Sequence, residues 1–258
     1  MVKKSEKDTY KNYVNEINKE NSEELLKIID DTKIPNLKEL KDYISPRSFW
    51  IIGGDGWAYD IGYNGIDHVL SNNENVNILV LDTEVYSNTG GQASKSTRTG
   101  AIAEFASHGK KGVKKNLAKA ALNYSHVYVG TINLGANPAQ AIKVLKEAEA
   151  YNGPSLIIAY CPCIAQGIIK GMKNAINEER EATNSGYFPL FHYNPSLGKF
   201  SLDSKADFSK YKDFLVGENR YLSLTKITKD SDKLFNENKE AAIKDYSHYE
   251  ALSKIEDE

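Results

Sequence analysis

Four short apolar runs constrain the fold of this chain more than any other feature of its sequence. An apolar run without polar alternation is typical of a strand that is buried on both faces, as in a parallel sheet. The runs are SFWIIGG (48–54), VNILVLD (76–82), HVYVGTI (126–132) and PSLIIAY (154–160). Helical patterns lie between and after them, at 59–70, 101–105, 117–124 and 137–151. This alternation predicts an α/β fold with a doubly wound, mostly parallel sheet.

Charged segments flank this central region. Residues 1–47 alternate Lys, Glu and Asn with apolar residues at helical spacing, which predicts a charged helical lead segment. Residues 48–178 are predicted to form the ligand-binding domain. Residues 179–258 are predicted to form an extension that packs on this domain or on a partner, and its last helix carries apolar residues at helical spacing, namely Ile243, Tyr246, Tyr249 and Leu252.

The composition narrows the class of function. The 33 basic and 35 acidic residues leave a formal charge of -2, which argues against a nucleic-acid partner. No apolar run approaches the roughly 18 residues of a membrane span, and the first residues lack the apolar core of a signal peptide. We therefore expect a cytoplasmic protein with no membrane partner. The two cysteines, Cys161 and Cys163, are too few and too close for a disulfide framework.

Two glycine-rich loops follow the first two predicted strands, and parallel strands end at one edge of the sheet, where ligands bind. In the first loop, Gly53, Gly54 and Gly56 allow close approach of a ligand to the backbone, as a phosphate requires. Asp55 would repel a phosphate unless a cation lay between them. Magnesium prefers oxygen ligands and commonly joins a carboxylate to a diphosphate, so the loop predicts a magnesium-diphosphate site.

Three other interpretations of the glycine loop fit less well. A dinucleotide-binding fingerprint needs a third glycine, where this chain has Tyr59. A P-loop needs a Gly-Lys-Ser/Thr sequence, which the turn lacks. A turn without a ligand would leave unexplained the second loop, LDTEVYSNTGGQASKSTRTG (81–100).

Four longer motifs together resemble the carboxy-terminal thiamine-diphosphate-binding domain of the pyruvate:ferredoxin (or flavodoxin) oxidoreductase family. They are GGDGWAYDIGYNGIDHVL, LDTEVYSNTGGQASKSTRTGA, AYCPCIAQGI and SGYFPLFHYNP. The resemblance covers the chain from about residue 49 to at least 222. It implies an enzyme that decarboxylates pyruvate on thiamine diphosphate, forms acetyl-CoA and CO2, and passes electrons through iron-sulfur clusters to ferredoxin or flavodoxin.

The resemblance also implies site residues. Asp55, Thr83 and the backbone carbonyl of Val85 are expected to bind Mg2+. The diphosphate is expected to contact two glycines and one hydroxyl, those of Gly54, Gly56 and Ser87.

Asn88 matches the family's asparagine that faces the aminopyrimidine and the substrate, so it is the expected catalytic residue. Taken without the resemblance, Asn88 is a turn residue ahead of two glycines.

Cys163 lies where the family places one ligand of the [4Fe-4S] cluster nearest to the thiamine. Taken alone, a Cys-Pro-Cys sequence after a buried strand is more often a pair of packed thiols. Cys161 takes a position that the family usually gives to a small apolar residue, so we interpret it as structural. A four-iron cluster needs further thiolates, and in the family these precede the segment where this chain begins.

The glutamate that activates thiamine in this family lies on another domain, and nothing in this chain matches it. We therefore expect a fragment of a larger polypeptide, or a separate subunit, that binds the cofactor weakly and is inactive alone. Its partners would be the remaining domains or subunits, pyruvate, coenzyme A and the electron carrier, in a homodimeric enzyme. The alternatives are an oxidoreductase for another 2-oxoacid and a non-catalytic diphosphate-binding α/β module.

Basic and histidine residues add little to this prediction. The sequence GKKGVKK (109–115) would contact coenzyme A phosphates or an acidic carrier, or form a solvated loop, and the loop is the favoured interpretation. The five histidines show no metal-ligand spacing. Each is interpreted as a packing or surface residue.

Overall fold

The computed structural model describes residues 48–255 and, ahead of them, Leu26 and Ile29. These two residues are helical, and Ile29 is buried. The rest of the predicted helical lead segment over 1–47 lies outside the described residues.

Six strands form one sheet in the described part of the chain. They are β1 (Trp50–Gly54), β2 (Asn77–Asp82), β3 (Tyr128–Ile132), β4 (Ser155–Tyr160), β5 (Phe191–Asn194) and β6 (Lys199–Leu202). Their order is β1-β2-β4-β3-β5-β6. The first four strands of this order run parallel, whereas β5 pairs antiparallel with β3 and β6 antiparallel with β5. The predicted α/β fold with a mostly parallel sheet is confirmed.

Burial explains why the apolar runs became strands. Ile78 and Leu156 pack in the larger core cluster on one side of the sheet, and Tyr128 and Ile157 pack in a second cluster. β3 is buried at every residue and β4 at all but one. The first apolar run differs, because β1 is at the edge of this sheet and its two isoleucines are exposed.

Eight α-helices accompany the sheet in the described part. They are α1 (Tyr63–Ser71), α2 (Leu117–Ala121), α3 (Pro138–Ala150), α4 (Ala175–Asn184), α5 (Tyr211–Val216), α6 (Asn219–Leu222), α7 (Leu224–Ile227) and α8 (Ser231–Leu252). Asn137 caps α3 by accepting a hydrogen bond from the backbone N–H of Gln140, and Pro138 occupies the first turn. Both are typical signals of a helix start.

Two predicted helices differ from the structure. The pattern over 59–70 is divided into a π-helical turn, Gly56–Ile61, and α1. The segment 101–105 is not helical: Ile102 N–H donates to Arg220 O and Glu104 N–H to Gly91 O. These long-range backbone bonds replace the bonds of a helix that would be too short to be stable on its own.

The chain after residue 178 contributes strands as well as helices. Sequence analysis missed β5 and β6, which form a hairpin within the predicted extension of residues 179–258. Within the same extension, Tyr249 of α8 lies 4.2 Å from Phe191 of β5 between ring centroids. The helix also reaches residues before 178, through 2.7 Å hydrogen bonds from Asn116 Nδ2 to Tyr249 Oη and from Asn238 Nδ2 to Thr99 O. The division of the described chain at residue 178 stays a prediction.

Candidate functional site

The candidate site lies where β1 and β2 end. Gly54 at the end of β1 pairs with Leu81 near the end of β2, so the loops that follow the two strands start side by side. Asp55 follows β1 directly, and Thr83 follows β2. This is the edge of a parallel sheet at which ligands are expected to bind.

Four oxygen atoms meet at Thr83. Its Oγ1 lies 2.8 Å from Asp55 Oδ1, 3.0 Å from Val85 O and 3.4 Å from Ser87 Oγ. The Thr83 hydroxyl has only one hydrogen to donate, so this group contains more oxygen acceptors than protons to share. A carboxylate, a hydroxyl and a backbone carbonyl in one group are the kinds of ligand that a hard cation such as Mg2+ takes. The donor set therefore fits magnesium.

Asp55 is held firmly in this position. It is buried, and its second oxygen, Oδ2, accepts a hydrogen bond of 2.5 Å from Ser94 Oγ. Burial, with a smaller contribution from the neighbouring charge of Asp82, raises the pKa of Asp55 to about 6. A bound cation beside the carboxylate would favour its charged form and oppose this effect.

Glu84 gives the second loop its shape. It adopts a left-handed backbone conformation with φ of 60°, which is uncommon for a residue other than glycine. The residue lies between Thr83 and Val85, and with this turn the carbonyl of Val85 points back to the hydroxyl of Thr83. The left-handed turn at Glu84 thus brings two predicted metal ligands together.

A buried ionic network holds the Glu84 side chain. Its carboxylate lies 2.8 Å from Arg220 Nη2, 2.9 Å from Lys114 Nζ and 3.3 Å from Arg98 Nε, and it accepts a hydrogen bond from Tyr187. Burial alone would raise the pKa of Glu84, but these three cations lower it well below the usual range of a carboxyl group. The side chain is therefore charged in the folded protein.

The network extends to two more carboxylates. Lys114 Nζ also lies 2.6 Å from Asp82 Oδ2, and Arg220 Nε lies 2.6 Å from Glu218 Oε2. Three buried acids thus face three cations. Sequence analysis missed this network, because Glu84 and Arg220 are 136 residues apart and no local pattern connects them.

The glycines of the first loop have different surroundings. A Cβ atom on Gly56 would lie 2.3 Å from the ring of Tyr86, whose hydroxyl donates a 3.2 Å hydrogen bond to Gly56 O. A Cβ on Gly53 would lie 2.4 Å from the ring of Trp57. A Cβ on Gly54 would meet no atom within 4 Å. Packing therefore leaves no room for a side chain at Gly53 or Gly56, whereas Gly54 borders open space beside Asp55.

Ser87 and Asn88 lie at the exposed end of the second loop. Ser87 contacts the oxygen group through Thr83, as described above. The Asn88 side chain makes no hydrogen bond to that group within the part of the chain that the structure describes. Two glycines follow in left-handed conformations, Gly90 with φ of 122° and Gly91 with φ of 85°.

The cysteine loop follows β4, which is the neighbour of β2 in the sheet. Both cysteines are half-buried and free. Burial raises the pKa of the Cys161 thiol to about 12, so this thiol stays protonated at neutral pH. Cys163 begins the 3-10 turn Ile164–Gln166, and the amide of Gln166 connects Cys163 N to the carbonyl of Thr83. The structure therefore joins the predicted cluster ligand to the predicted metal-binding loop.

The basic segment 109–115 is a solvated loop only in part. Lys110 Nζ donates to the carbonyls of Ser94 and Thr97 at 2.7 and 2.6 Å. Lys114 belongs to the buried network, and Lys115 Nζ lies 2.8 Å from the centroid of the Tyr63 ring. The favoured interpretation is therefore wrong for three of the four lysines, which contact other parts of the domain, whereas Lys111 and Val113 are exposed as in a solvated loop.

Comparison with known proteins identifies the domain. Residues 40–159 match the family described as thiamine pyrophosphate enzyme, C-terminal TPP binding domain. Pyruvate:ferredoxin oxidoreductase of Moorella thermoacetica is 56% identical over 191 residues, which are 72% of this chain and 16% of that protein. The chain therefore belongs to the pyruvate:ferredoxin oxidoreductase family, as a carboxy-terminal thiamine-diphosphate domain.

Other relatives carry different acceptor names. Pyruvate-flavodoxin oxidoreductase of Klebsiella pneumoniae is 48% identical over 85% of this chain and 20% of that protein. Pyruvate dehydrogenase [NADP(+)] of Cryptosporidium parvum is 44% identical over 95% of this chain and 14% of that protein. A solved 2-oxoglutarate:ferredoxin oxidoreductase from Magnetococcus marinus matches 47% of this chain and 42% of its own with a TM-score of 0.43 at 24% identity. The chain spans a fifth or less of the length of the three relatives from Moorella thermoacetica, Klebsiella pneumoniae and Cryptosporidium parvum.

Membrane-spanning helices and clusters of metal-binding side chains are both absent from the described residues of the domain. None of the helices formed by them combines the length with the apolar character of a membrane-spanning segment. No three of their His, Cys, Asp and Glu side chains come together as a metal-binding group. A magnesium site in the domain would thus depend on hydroxyl and carbonyl oxygens as well as on Asp55.

Proposed function

We propose that this domain binds the magnesium-diphosphate part of thiamine diphosphate in an oxidoreductase that converts pyruvate and coenzyme A to acetyl-CoA and CO2. The observation that carries the proposal is the contact of Thr83 Oγ1 with both Asp55 Oδ1 and Val85 O. Three oxygens of the types that magnesium prefers converge at the ends of two adjacent parallel strands. The sequence relatives named for pyruvate support the choice of substrate.

The chain's own residues would divide the work of binding. Asp55, Thr83 and the Val85 carbonyl would hold the cation, while Gly54, Gly56 and Ser87 would lie along the diphosphate. The open space beside Gly54 supports this role, because a ligand can approach the backbone there without meeting a side chain. When bound, thiamine diphosphate supplies the electron sink for decarboxylation of the 2-oxoacid. Asn88, on the exposed end of the loop, would orient the aminopyrimidine and the substrate.

Cys163 would give one thiolate to a [4Fe-4S] cluster that receives the electrons. The remaining cluster ligands and the carboxylate that activates the cofactor would come from other domains or subunits of a homodimeric enzyme. We propose ferredoxin or flavodoxin as the acceptor, as in the names of several relatives. The chain alone would therefore bind the cofactor without turning over pyruvate, and a cytoplasmic location stays a prediction.

The test is calorimetric titration of the chain with thiamine diphosphate in the presence and absence of Mg2+. We expect binding only with Mg2+, and a loss of at least about tenfold in affinity for Asp55→Asn, which removes the negative charge of the carboxylate, and for Thr83→Val, which removes the hydroxyl oxygen. Asp67→Asn is a matched control, because Asp67 lies on α1 and contacts Tyr124 instead of the site. Binding that does not depend on Mg2+, or that survives Asp55→Asn, would contradict the proposal.

A second measurement separates a subunit from an independent enzyme. The chain is mixed with pyruvate, coenzyme A, Mg2+, thiamine diphosphate and a viologen dye. We expect no reduction of the dye, because the activating carboxylate and most cluster ligands would be elsewhere. Pyruvate-dependent reduction by this chain alone would refute the dependence on partner domains.

A further inference from the structure

Gln166 connects two segments that the proposed function uses for different cofactors. Its Nε2 donates a hydrogen bond of 3.1 Å to Thr83 O, and its Oε1 accepts one of 3.2 Å from Cys163 N. The side chain is fully buried. Within the described residues, it makes the one side-chain hydrogen bond between the loop 83–92 and the loop 161–168.

Local helix capping explains only half of this arrangement. Gln166 is the third residue of a capping box, in which its oxygen accepts from the backbone of Cys163 while Cys163 Sγ accepts from Ala165 N at 3.5 Å. A capping box uses the side-chain oxygen alone, and a glutamate would serve it equally well. The Nε2 group is directed instead to a carbonyl 83 residues away in sequence. Of the two residues typical of this capping-box position, glutamine and glutamate, a charged glutamate offers acceptors alone, whereas glutamine offers an acceptor and a donor.

The hydrogen bond from Gln166 ends on Thr83, which is also one of the predicted metal ligands. Thr83 contributes its hydroxyl to the oxygen group and its carbonyl to Gln166. A backbone hydrogen bond from Cys161 N to Asp82 O, 3.1 Å long, runs beside it. A shift of the Thr83 backbone is therefore transmitted to the Cys163 backbone through one rigid, buried amide, since a buried group that lost either bond would be left unsatisfied.

We infer that Gln166 is a positioning residue that fixes the Cys163 loop relative to the metal-binding loop, so that occupation of one site is sensed at the other. This inference rests on the proposed function for the identity of the two sites. In an enzyme that passes electrons from one bound cofactor to another, a fixed separation between their protein ligands keeps the geometry of the transfer constant.

The experiment uses the reactivity of the Cys163 thiol. The chain has two cysteines, so Cys161→Ser leaves Cys163 as its single thiol. The rate of alkylation by iodoacetamide is measured in this reference protein and in its Gln166→Met derivative, with and without saturating Mg2+ and thiamine diphosphate. We expect the ligand to slow alkylation in the reference, and Gln166→Met to raise the unliganded rate roughly threefold or more and to abolish the ligand effect, because coupled residues of one network are not independent.

Gln140→Met is the matched control. Gln140 is also buried, and its side-chain amide also makes two hydrogen bonds, both donated by Nε2, to Thr131 O and Asp203 Oδ2, but it lies on α3 away from both loops. A general loss of stability would affect both variants, whereas the inference requires a change at Cys163 only for Gln166→Met. Equal alkylation rates in the two variants, or a ligand effect of the same size in Gln166→Met and the reference, would overturn it.

The outcomes also separate this inference from the proposed function. If calorimetry finds no binding of thiamine diphosphate to the reference protein, the proposed function fails, and the unliganded rates still decide whether Gln166 positions Cys163. If Gln166→Met does not fold, amide hydrogen exchange of the unmodified chain decides. Slower exchange at the Cys163 amide when Mg2+ and thiamine diphosphate are bound supports the inference, and exchange there that these ligands leave unchanged overturns it.

Discussion

Arg220 Nη2 lies 2.8 Å from Glu84 Oε2, in an ion pair between two fully buried side chains that are 136 residues apart. Glu84 stands in a left-handed conformation between two predicted metal ligands. A left-handed non-glycine residue costs on the order of 1–3 kcal/mol and persists only where its surroundings determine it. The buried network of Arg98, Lys114 and Arg220 supplies those surroundings, so the folding of α6 and the shape of the candidate site depend on each other.

Glu84→Gln tests this dependence. Removing one charge leaves three buried cations without their shared partner, and we expect the free energy of unfolding to fall by about 3–5 kcal/mol. Urea-induced unfolding followed by circular dichroism measures the loss. Glu237→Gln on the exposed face of α8 serves as the control, with a change expected within about 0.5 kcal/mol. A loss below about 1 kcal/mol for Glu84→Gln would show that the ionic network contributes little to the stability of the folded domain.

Alanine at two glycines should separate packing from ligand binding. Gly54→Ala adds a Cβ in open space, so we expect stability to stay within about 0.5 kcal/mol while affinity for magnesium-thiamine diphosphate is lost. Gly56→Ala places its Cβ against the Tyr86 ring, and overpacking should cost about 1–3 kcal/mol of stability.

The controls for the glycine variants come from the same region. Gly65→Ala on α1 also adds a Cβ to open space, and it should leave cofactor affinity unchanged. Thermal unfolding and calorimetric titration measure the two properties separately. Full cofactor affinity in Gly54→Ala would argue that the diphosphate does not pass this glycine.

Glu178 should make stability depend on pH. The side chain is buried on α4, its Oε1 has no hydrogen-bond partner among the described residues, and burial, followed by the charge of Glu218, raises its pKa to about 7. The folded protein thus holds the proton more tightly than the unfolded chain, and stability is lost as the pH rises from about 4.5 through about 7.

Glu178→Gln removes the buried carboxyl group whose deprotonation lowers the stability of the folded protein. We expect a gain of about 1–2 kcal/mol in the free energy of unfolding at about pH 8 and almost none at about pH 4, measured by urea titration at both values. Glu181→Gln, exposed on the same helix, should show no such difference. A gain that is equal at both pH values would mean that the effect comes from packing and not from titration.

Phe105 is an exposed aromatic residue in a strained backbone position. It has φ of 66° and keeps 92% of its surface accessible, so its side chain gains little from packing. Because asparagine tolerates the left-handed region better, Phe105→Asn should raise the free energy of unfolding by up to about 1 kcal/mol. Val113→Asn, at another exposed apolar residue, is the control. Denaturant unfolding that shows a loss for Phe105→Asn would point to a packing role for the ring.

Local sequence patterns predicted the sheet well for a clear reason. The four apolar runs each contain a strand. Continuous apolar residues are stable in a parallel sheet where both faces are covered, as in β3 and β4, whereas the edge strand β1 is the exception. The grouping of Asp55 with Thr83 was also predictable, because parallel neighbours end at one edge. β5 and β6 were not predicted because their residues are mixed polar and apolar. β5 joins the sheet by pairing with β3, which is distant in sequence, so no local pattern reveals it.

The sequence by itself therefore determined the α/β class and the two loops, because these depend on short runs of residues and on the glycines within them. It also predicts the chemical type of the ligand site, which stays a prediction. Only the tertiary structure decided how the site is held. The left-handed turn at Glu84, the inward direction of Lys114 and the link from Gln166 to Thr83 all depend on partners that are distant in sequence. Such contacts form only when charges and amides are brought together in a buried environment, where an unpaired group is too costly to remain.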